Sequence, residues 1–413
     1  MPSAATRVPA RIGVLIVGGG PAGAAAAIEL QRAGTSVTLV DKAVFPRDKC
    51  CGDGLTTGAL RRLEHLGLDS TQVPSWQWVN DVHISSSKGY TVDFVLPPDG
   101  RFSAIATRAE LDHALLQVAE KVGACVVTGS AVTSATQHSD AVRVAIEGIG
   151  TVAAERVIAA DGMWSPLRKM LGTSAARTEH EPYLGEWHAY RQYFENVHTA
   201  ASRDIWVWFE KDLLPGYAWS FPLAGGRVNL GFGIERADGV RTNTMKAAWA
   251  SLLERPHIRA VLGTDARPVD APKAWPIPAA ITHAPLSDGR VLFVGDAARA
   301  CDVLTGEGIG QALQTGMMAA TAILASPRDP RDSAVHYEHN VRSHLGPDHR
   351  MAFALQRMMR SSPVCRGALR ICGATDWTRR NFARWLFEDY ARGIVLTPTR
   401  WRWGLMSGPG AYR

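Results

Sequence analysis

The chain has 413 residues, of which 46% are hydrophobic and 20% charged, and its formal net charge is +6. This composition is typical of a globular protein with more than one structural unit, and it excludes a fibrous or disordered chain. The six cysteines form no CxxC pair and are too sparse for a disulfide framework, which predicts a reducing, cytoplasmic setting, and no uninterrupted apolar stretch is long enough for a membrane span.

The N-terminal region predicts a β-α-β unit. A short apolar, β-branched run, Val14–Val17, indicates a buried strand of a parallel sheet. An alanine-rich helix is predicted from Gly23 to Ala33, with Gly34 just beyond its end. The β-forming run Ser36–Val40 predicts the second strand.

The turn between the first strand and the helix reads Gly-Gly-Gly-Pro-Ala-Gly from Gly18 to Gly23, which is a GxGxxG motif. Gly18 permits the tight turn, Gly20 lets the backbone approach a pyrophosphate, and Gly23 allows close helix–strand packing. Asp41 ends the second strand, where a carboxylate accepts hydrogen bonds from ribose hydroxyls. The strand before the motif and the helix after it predict a dinucleotide site rather than an accidental glycine turn.

The rest of the chain alternates between helical and strand-like patterns. In chain order, the predicted elements are a helix at 57–66, short strands within 75–100, a helix at 108–122, strands at 124–127, 142–146 and 157–160, an antiparallel sheet within 180–280, a strand at 291–294, a helix from about 308, and mainly helices in 340–413.

Two later motifs accompany the glycine-rich turn. They are Asp-Gly-Met-Trp-Ser-Pro-Leu-Arg from Asp161 to Arg168, and Gly-Asp-Ala-Ala from Gly295 to Ala298. In this order, the three motifs resemble the fingerprint of FAD-dependent monooxygenases of the p-hydroxybenzoate hydroxylase fold. That resemblance implies an FAD cofactor, a contact of Asp296 with the flavin ribose, and a following helix whose N-terminus faces the pyrimidine end of the flavin.

Three further segments resemble the geranylgeranyl reductase branch of these flavoproteins. The loop Phe45–Gly54 is similar to PRxKxCGxG, the segment Tyr217–Pro222 to YxWxFP, and Leu304–Ile309 to LTGEGI. The resemblance covers roughly residues 12–325. The chain departs from it at Cys50 and Val303, where many relatives have proline, and this leaves the substrate open.

The resemblance implies a set of site residues. The implied FAD-binding residues are Gly18, Gly20, Pro21, Ala22, Gly23, Asp41, Lys42, Arg47, Cys51, Gly52, Arg108, Asp161, Gly295, Asp296, Gly306, Gly308 and Ile309. Arg108 corresponds to an arginine near the phosphates, and a surface helix position is its alternative.

The candidates for catalysis are Cys51, Tyr217 and Trp219. Cys51 is a candidate proton donor over the flavin, or else a small buried apolar residue. Tyr217, Trp219 and Phe221 alternate along one strand and should share a face, either as the wall of an apolar substrate channel or as ordinary core. Cys50 is predicted to be structural.

A cluster around residues 179–188 resembles a set of metal ligands. Glu179, His180 and Glu181 are followed by Glu186 and His188. The cluster lacks HExxH spacing, so we predict no metal.

The charge is concentrated at the C-terminal end. Residues 341–413 contain 13 arginines, no lysine and four acidic residues, which amounts to about +9. An arginine-rich solvated helical face explains this, and a peripheral contact with anionic lipid headgroups or with a diphosphate is the alternative. Trp401 and Trp403 cap this tail or anchor at a bilayer. Because no zinc, helix-turn-helix or RNA-recognition signature is present, we predict no nucleic-acid partner.

The predicted fold is α/β, with a Rossmann-like FAD-binding domain, an inserted, mainly antiparallel β substrate domain and a C-terminal helical segment. The FAD-binding domain should comprise 1–75, 101–175 and 283–340, the substrate domain 76–100 and 176–282, and the helical region 341–413. The resemblance implies reduction of isoprenoid C=C bonds by hydride from reduced flavin, with an apolar or isoprenoid small molecule as the substrate.

Other functions stay open. A monooxygenase or halogenase acting on an aromatic or polyketide intermediate is the main alternative, although halogenases typically show WxWxIP where this chain has Tyr217–Pro222. A flavoprotein that has lost catalysis is a third. One dinucleotide motif leaves the electron donor undecided between NADPH and a ferredoxin-like protein, and the oligomeric state is equally open.

Overall fold

The computed structural model describes residues 8–86, 88–96, 101–173, 183–236, 242–386 (backbone only at 242 and 243), 391–394 and 397–401. The strands, in chain order, are β1 (Arg11–Val17), β2 (Val37–Val40), β3 (Gly54–Thr56), β4 (Gln77–Trp78), β5 (Asp81–Ser86), β6 (Thr91–Val95), β7 (Ser103–Ile105), β8 (Cys125–Val127), β9 (Val132–Gln137), β10 (Val142–Ile146), β11 (Gly150–Ala159), β12 (Trp187–Glu195), β13 (Ile205–Phe209), β14 (Tyr217–Leu223), β15 (Arg227–Glu235), β16 (Arg267–Pro268), β17 (Lys273–Ile277), β18 (Ser287–Asp288) and β19 (Val291–Phe293).

The helices are α1 (Pro21–Arg32), α2 (Thr57–His65), α3 (Arg108–Lys121), α4 (Pro166–Met170), α5 (Thr242–Leu253), α6 (Pro256–Leu262), α7 (Ile309–Ala325), α8 (Pro330–Met359), α9 (Ser362–Gly373) and α10 (Asp376–Leu386). None of the helices that the structure describes is both long enough and apolar enough to cross a bilayer.

The first sheet is built on a parallel core, in the order β19-β11-β1-β2-β8, with β18, β10 and β9 added in antiparallel pairs. Its central strands carry apolar residues on both faces, as in Leu15 and Ile16, which are fully buried. A parallel sheet needs cover on both sides. The small residues Ala24–Ala27 of α1 provide close cover because all four are buried.

The second sheet has the order β16-β12-β15-β14-β13-β5-β6, with β17 also paired to β12. Its strands are antiparallel apart from the parallel pair β13–β5. Helices α5 and α6 contribute to one apolar cluster against this sheet, and α9 and α10 contribute to another. A small sheet, β3-β7-β4, lies in the segment between β2 and α3 and directly follows the loop at 45–53. This arrangement leaves a cavity between the first sheet, the second sheet and α8–α10.

Helices α1 and α7 cross at very close range. Gly316 of α7 faces α1, and a Cβ atom at this position would overlap the carbonyl oxygen of Ala22. The overlap would be with backbone, which cannot rotate away. The contact between the two helices therefore requires glycine.

We expect Gly316→Ala to lower the free energy of unfolding by about 1–3 kcal/mol, because the added methyl group forces α7 away from α1. Gly367→Ala is the matched control, since Gly367 lies inside α9 and a Cβ there would meet nothing within 4 Å. That variant should be neutral or more stable by up to about 1 kcal/mol. Urea unfolding of both variants checks the prediction, and equal stabilities would contradict the close crossing.

Candidate active site

One cavity of about 1040 Å³ extends from the glycine-rich turn to the C-terminal helices. Its walls include every predicted cofactor-binding and catalytic residue except Gly23, which packs behind the turn. The glycine-rich turn, Asp41 and Asp296, which are far apart in sequence, therefore meet around one space.

The glycine-rich turn is held by backbone contacts. Gly18 has a φ of +111°, and its N–H donates to the carbonyl oxygen of Val40 at 2.8 Å. A Cβ atom at Gly18 would overlap the Ala160 carbonyl, and one at Gly23 would overlap the Gly18 carbonyl. Only glycine fits at both positions, as the motif predicts.

Asp41 is bound to this turn. Its Oδ2 accepts from the Gly19 N–H at 2.6 Å, and its Oδ1 accepts from the Ala43 N–H at 2.8 Å. A carboxylate has about four acceptor positions, so each oxygen can accept a further hydrogen bond from a ribose hydroxyl. The two backbone donors hold the side chain in place for that contact.

Two arginines face the N-terminus of α1. Arg108 makes a bidentate pair with Asp112 at 2.8 Å in both bonds, and the Nη1 of Arg47 lies 2.8 Å from the same carboxylate. Arg108 is only 4% exposed, so the surface alternative for this residue is wrong. Burial opposes ionisation of Asp112, but Arg108 and Arg47 outweigh it and lower the pKa of that carboxyl.

Two guanidinium groups against one carboxylate leave a net positive charge at this end of the cavity. A Cβ atom at Gly20 would lie 3.8 Å from the Nη2 of Arg47 and 3.9 Å from the Nη2 of Arg108. The glycine thus leaves a niche between these groups and the N–H groups that begin α1. Such a niche suits a phosphate oxygen.

Lys49 pairs with the aspartate of the third motif, which the sequence analysis did not foresee. Its Nζ lies 2.7 Å from the Oδ2 of Asp296, while the Sγ of Cys301 donates to Oδ1 at 3.5 Å. Burial opposes ionisation of Asp296, but Lys49 outweighs it, and the pKa of this carboxyl is lowered. Asp296 therefore stays ionised and can accept a hydrogen bond from a hydroxyl group of a cofactor.

The second motif supports the third. Arg168 donates from Nε to the Ala297 carbonyl at 2.8 Å and from Nη2 to the Pro285 carbonyl, and its guanidinium lies 3.8 Å from the ring centroid of Phe293. Asp161 accepts from the Leu167 N–H at 2.9 Å at the start of α4. The arginine that ends the second motif thus fixes the loop that carries Asp296.

Asp302 holds the loop before α7, next to Val303, where the chain departs from the family pattern. The Oδ1 of Asp302 accepts from the N–H groups of Leu304 and Thr305 at 3.0 and 2.8 Å. The Oδ2 of Asp302 lies 3.0 Å from the Nε of Arg392, and both side chains are buried. These contacts stabilise the loop where Val303 replaces the proline of many relatives.

A buried network joins the loop at Cys51 to the second sheet. Asp53 has a left-handed φ of +65°, and its Oδ2 accepts from the hydroxyl of Tyr193 at 2.6 Å and from the Nδ2 of Asn229 at 2.8 Å. Asn229 also donates to the Cys51 carbonyl at 2.8 Å and accepts from the Nε1 of Trp219 at 3.2 Å. Sequence reasoning missed Asp53, Tyr193 and Asn229 as site residues. Glycines on both sides of Asp53 were the available signal.

Burial controls the ionisation of the groups in this loop. It raises the pKa of Asp53 to about 6, against the opposing hydrogen bonds from Tyr193 and Asn229. Burial also raises the pKa of Cys51, and it raises that of Cys50 to about 12. Both thiols therefore keep their protons at neutral pH. Cys50 donates to the Lys273 carbonyl at 3.7 Å.

Aromatic side chains form the wall beyond Cys51. Tyr217, Trp219 and Phe221 all line the cavity, with successive ring centroids 5.9 Å apart, as the alternation along the strand predicts. The hydroxyl of Tyr217 donates to the Thr305 carbonyl, and the indole N–H of Trp219 is bound to Asn229. Because these polar atoms are occupied, the rings present apolar surface to the cavity.

Glu186, one of the two described residues of the metal-like cluster, is bound by groups of the protein itself. The Oε2 of Glu186 accepts from the Tyr183 hydroxyl at 2.5 Å and from the Ala279 N–H at 2.7 Å. Glu179, His180 and Glu181 of this cluster lie outside the described residues. Trp403, which the sequence predicts to cap the tail or to anchor at a bilayer, also lies outside them. Among the residues that are described, no group of three or more potential ligands is placed to hold a metal ion.

Comparison with known proteins identifies the family of the chain. Residues 11–344 match the family described as FAD binding domain. The chain is 35% identical over 346 residues to a menaquinone reductase of Mycobacterium tuberculosis (strain ATCC 25618 / H37Rv). The matched region covers 78% of this chain and 77% of the relative. It is 30% identical over 323 residues to a digeranylgeranylglycerophospholipid reductase of Methanoculleus marisnigri, covering 74% and 75% of the two chains.

Solved structures share the fold. A geranylgeranyl bacteriochlorophyll reductase-like protein of Thermoplasma acidophilum has a TM-score of 0.74 and 20% identity, covering 94% of this chain and 99% of that chain. A flavin-dependent brominase has a TM-score of 0.75 and 19% identity, covering 94% and 98%. At such identities the likeness concerns the fold alone, and the same fold supports reductases and halogenases.

FAD is the cofactor, and the described residues fit it. The Gly20 niche with Arg47 and Arg108 suits a diphosphate. Asp41 and Asp296 line the same cavity, where their carboxylates can accept hydrogen bonds from hydroxyl groups of FAD. The N-terminus of α7, which begins at Ile309, adds positive dipole character to the cavity wall.

We expect Arg47→Gln to raise the Kd for FAD by roughly 10–100-fold, because one charged hydrogen-bond donor is lost from the diphosphate niche. Arg108 still pairs with Asp112 in this variant, so the apoprotein should keep its melting temperature. Flavin fluorescence quenching measures the Kd, with Arg11→Gln at an exposed, distant site as the control. An unchanged Kd would place the diphosphate elsewhere.

Asp53 should make stability depend on pH. Its pKa is raised from 3.8 to about 6 in the folded state. Between about pH 4 and pH 6, the folded protein therefore still holds a proton that the unfolded chain has already released. The stabilisation from this proton is present below about pH 4 and is lost as the pH rises through about 6, by on the order of 3 kcal/mol.

Asp53→Asn cannot ionise, so its free energy of unfolding should not fall between about pH 4 and pH 6 as that of the parent does. The difference between the two proteins should therefore shift in favour of the variant across this pH range. Tyr193→Phe removes a donor that lowers the pKa of Asp53, and it should extend the window to higher pH. Urea unfolding at several pH values checks both variants. Parallel curves for all three proteins would refute the raised pKa.

Proposed function

This chain belongs to the geranylgeranyl reductase family of FAD-dependent oxidoreductases, and from that premise we propose that it saturates C=C bonds in the polyprenyl chain of a lipid. The observation that carries the proposal is the division of the cavity into a cationic end and a long apolar end. The relatives' names supply the substrate class, because menaquinone and digeranylgeranylglycerophospholipids both carry polyprenyl chains.

The apolar end is lined from two sides. Its walls come from the second sheet and from the C-terminal helices, through Val82, Ile84, Ile205, Val207, Phe209, Leu355, Met359, Ala368, Leu369, Phe382 and Leu386. Such a surface binds a hydrocarbon chain by excluding water and gives few polar groups to position a hydroxylated aromatic ring. A polyprenyl chain therefore fits this part of the cavity.

The chemistry of an isolated alkene suits this environment. An unactivated C=C bond offers no carbonyl to polarise, so the protein contributes by holding the bond close to the reductant in a water-poor space. When bound and reduced, FAD supplies the hydride for one alkene carbon. The second carbon needs a proton from the protein, and the saturated product keeps both new C–H bonds.

The residues of this chain divide the remaining tasks. Tyr217 and Trp219 form the wall beside the reacting bond, and Cys51 holds the proton for the second carbon. Its thiol is protonated at neutral pH, since the ordinary pKa of 9.0 already lies above neutral and burial raises it further. After transfer, the Cys51 thiolate regains a proton from water. The two electrons come from outside, through NADPH or a reduced ferredoxin-like protein, since the chain has one dinucleotide motif.

The test is an anaerobic single turnover with reduced holoenzyme and a menaquinone. Tail saturation should oxidise the flavin and give a product 2 Da heavier that retains this mass after exposure to air. Reduction of the quinone ring would instead give a quinol that air returns to the starting mass. Product formed only with O₂, as an oxygenated or halogenated aromatic, would overturn the proposal in favour of the monooxygenase alternative.

The same assay tests Cys51. Cys51→Ala should slow flavin oxidation by the alkene by about 10²-fold or more, because a general acid is lost, while reduction of the flavin itself stays unchanged. Cys50→Ala is the matched neighbour and should stay within about threefold of the parent, since Cys50 donates only to a backbone carbonyl. Equal effects of the two variants would remove Cys51 from the proton transfer.

A further inference from the structure

We propose that the outer face of α8–α10 docks on an anionic lipid bilayer and admits the substrate from it. This docking face consists of Met358, Val364, Ile371 and Trp377, which are 56%, 40%, 69% and 51% exposed. Large apolar side chains at this density on neighbouring helices are unusual for a solvated surface. The proposal rests on the proposed function for the identity of the substrate.

The cavity opens within this face. Met358 and Val364 line the cavity and are also exposed, on the two sides of the short turn between α8 and α9. Ile371 lies two turns beyond Val364 on the same side of α9. A polyprenyl chain that leaves a bilayer at this point enters the cavity without crossing water, which would cost free energy for every exposed methylene group.

The charge of the face complements an anionic surface. Arg357, Arg370 and Arg380 are exposed beside the apolar side chains. Helices α9 and α10 together contain five arginines and one acidic residue, Asp376, which pairs with Arg379. Arginine next to exposed aliphatic and aromatic residues is the pattern of helices that lie in the headgroup region of a bilayer.

This charge also decides between a bilayer and a second copy of the chain. In a symmetric dimer, the same patch would face itself, and the arginines of the two copies would repel one another. Anionic headgroups supply the missing negative charge. The structure therefore favours the bilayer as the partner of this face.

The test is flotation of the FAD-loaded full chain with two kinds of vesicle, phosphatidylcholine alone and phosphatidylcholine with about 30% phosphatidylglycerol. We expect binding to the anionic vesicles, weaker binding to the neutral ones, and loss of binding at about 0.5 M salt. Ile371→Ser combined with Trp377→Ser should lower the partition coefficient by about tenfold or more. Val335→Ser is the matched control, because Val335 is 66% exposed on α8 but outside the docking face, and it should bind as the parent does.

A water-soluble short-chain prenyl substrate separates this proposal from the proposed function. Neither Ile371 nor Trp377 lines the cavity, so the double variant should reduce this substrate at the parental rate and lose only turnover of substrate held in vesicles. Vesicle binding without any alkene reduction would overturn the function and leave the docking face standing. Absence of vesicle binding by the parent, or equal binding by the double variant, would overturn the docking face. The docking face would also be overturned if the double variant changed from dimer to monomer and still bound vesicles, because the face would then be an interface between two copies of the chain.

Discussion

The site depends on backbone packed against backbone at the start of α1. At Gly18, Gly23 and Gly316 a single Cβ atom would overlap a carbonyl oxygen, so the turn, the first helix and α7 meet with no side chain between them. This fixes the N-terminus of α1 over the end of β1. The N–H groups of the turn, Asp41 and the two arginines all take their positions from that end. A shift of α1 by the width of one methyl group would displace each of them.

A second constraint joins the two sheets through one carboxylate. Asp53 lies on the loop that follows the first β-α-β unit, but its hydrogen-bond donors, Tyr193 and Asn229, lie on β12 and β15. The same asparagine holds the backbone of Cys51. Cys51 therefore keeps its place only while the second sheet is correctly docked. Burying this carboxylate in a left-handed backbone costs stability, which is common where a protein fixes a functional loop.

Local patterns predicted the parts of the fold whose cause is local. Strand β1, helix α1 and the glycine turn follow from apolar runs, alanine content and backbone freedom, and each is found within a few residues of its expected bounds. Residues of all three motifs also line one cavity, because the carboxyl ends of parallel strands share one edge of the sheet. What the patterns did not reveal are partners chosen by tertiary contact. Lys49 was part of a recognised loop, yet its pairing with Asp296, 247 residues away, has no local cause. Arg168 likewise supports a distant loop.

The cavity also links two physical requirements that are usually treated separately. The aromatic and aliphatic walls exclude water, and the proposed reduction of an alkene needs such dry surroundings. The same dry surroundings disfavour charge, so Cys51 remains a thiol, and the pKa of Asp53 is raised to about 6. At the opposite end, the charges that remain are paired or offset: Asp112 by two arginines and Asp296 by Lys49. One end is thus charged and the other is apolar, as the proposed binding of a diphosphate and a polyprenyl chain requires. The loop from Arg47 to Asp53 contributes to both ends, which is why so many of the site residues come from seven consecutive positions.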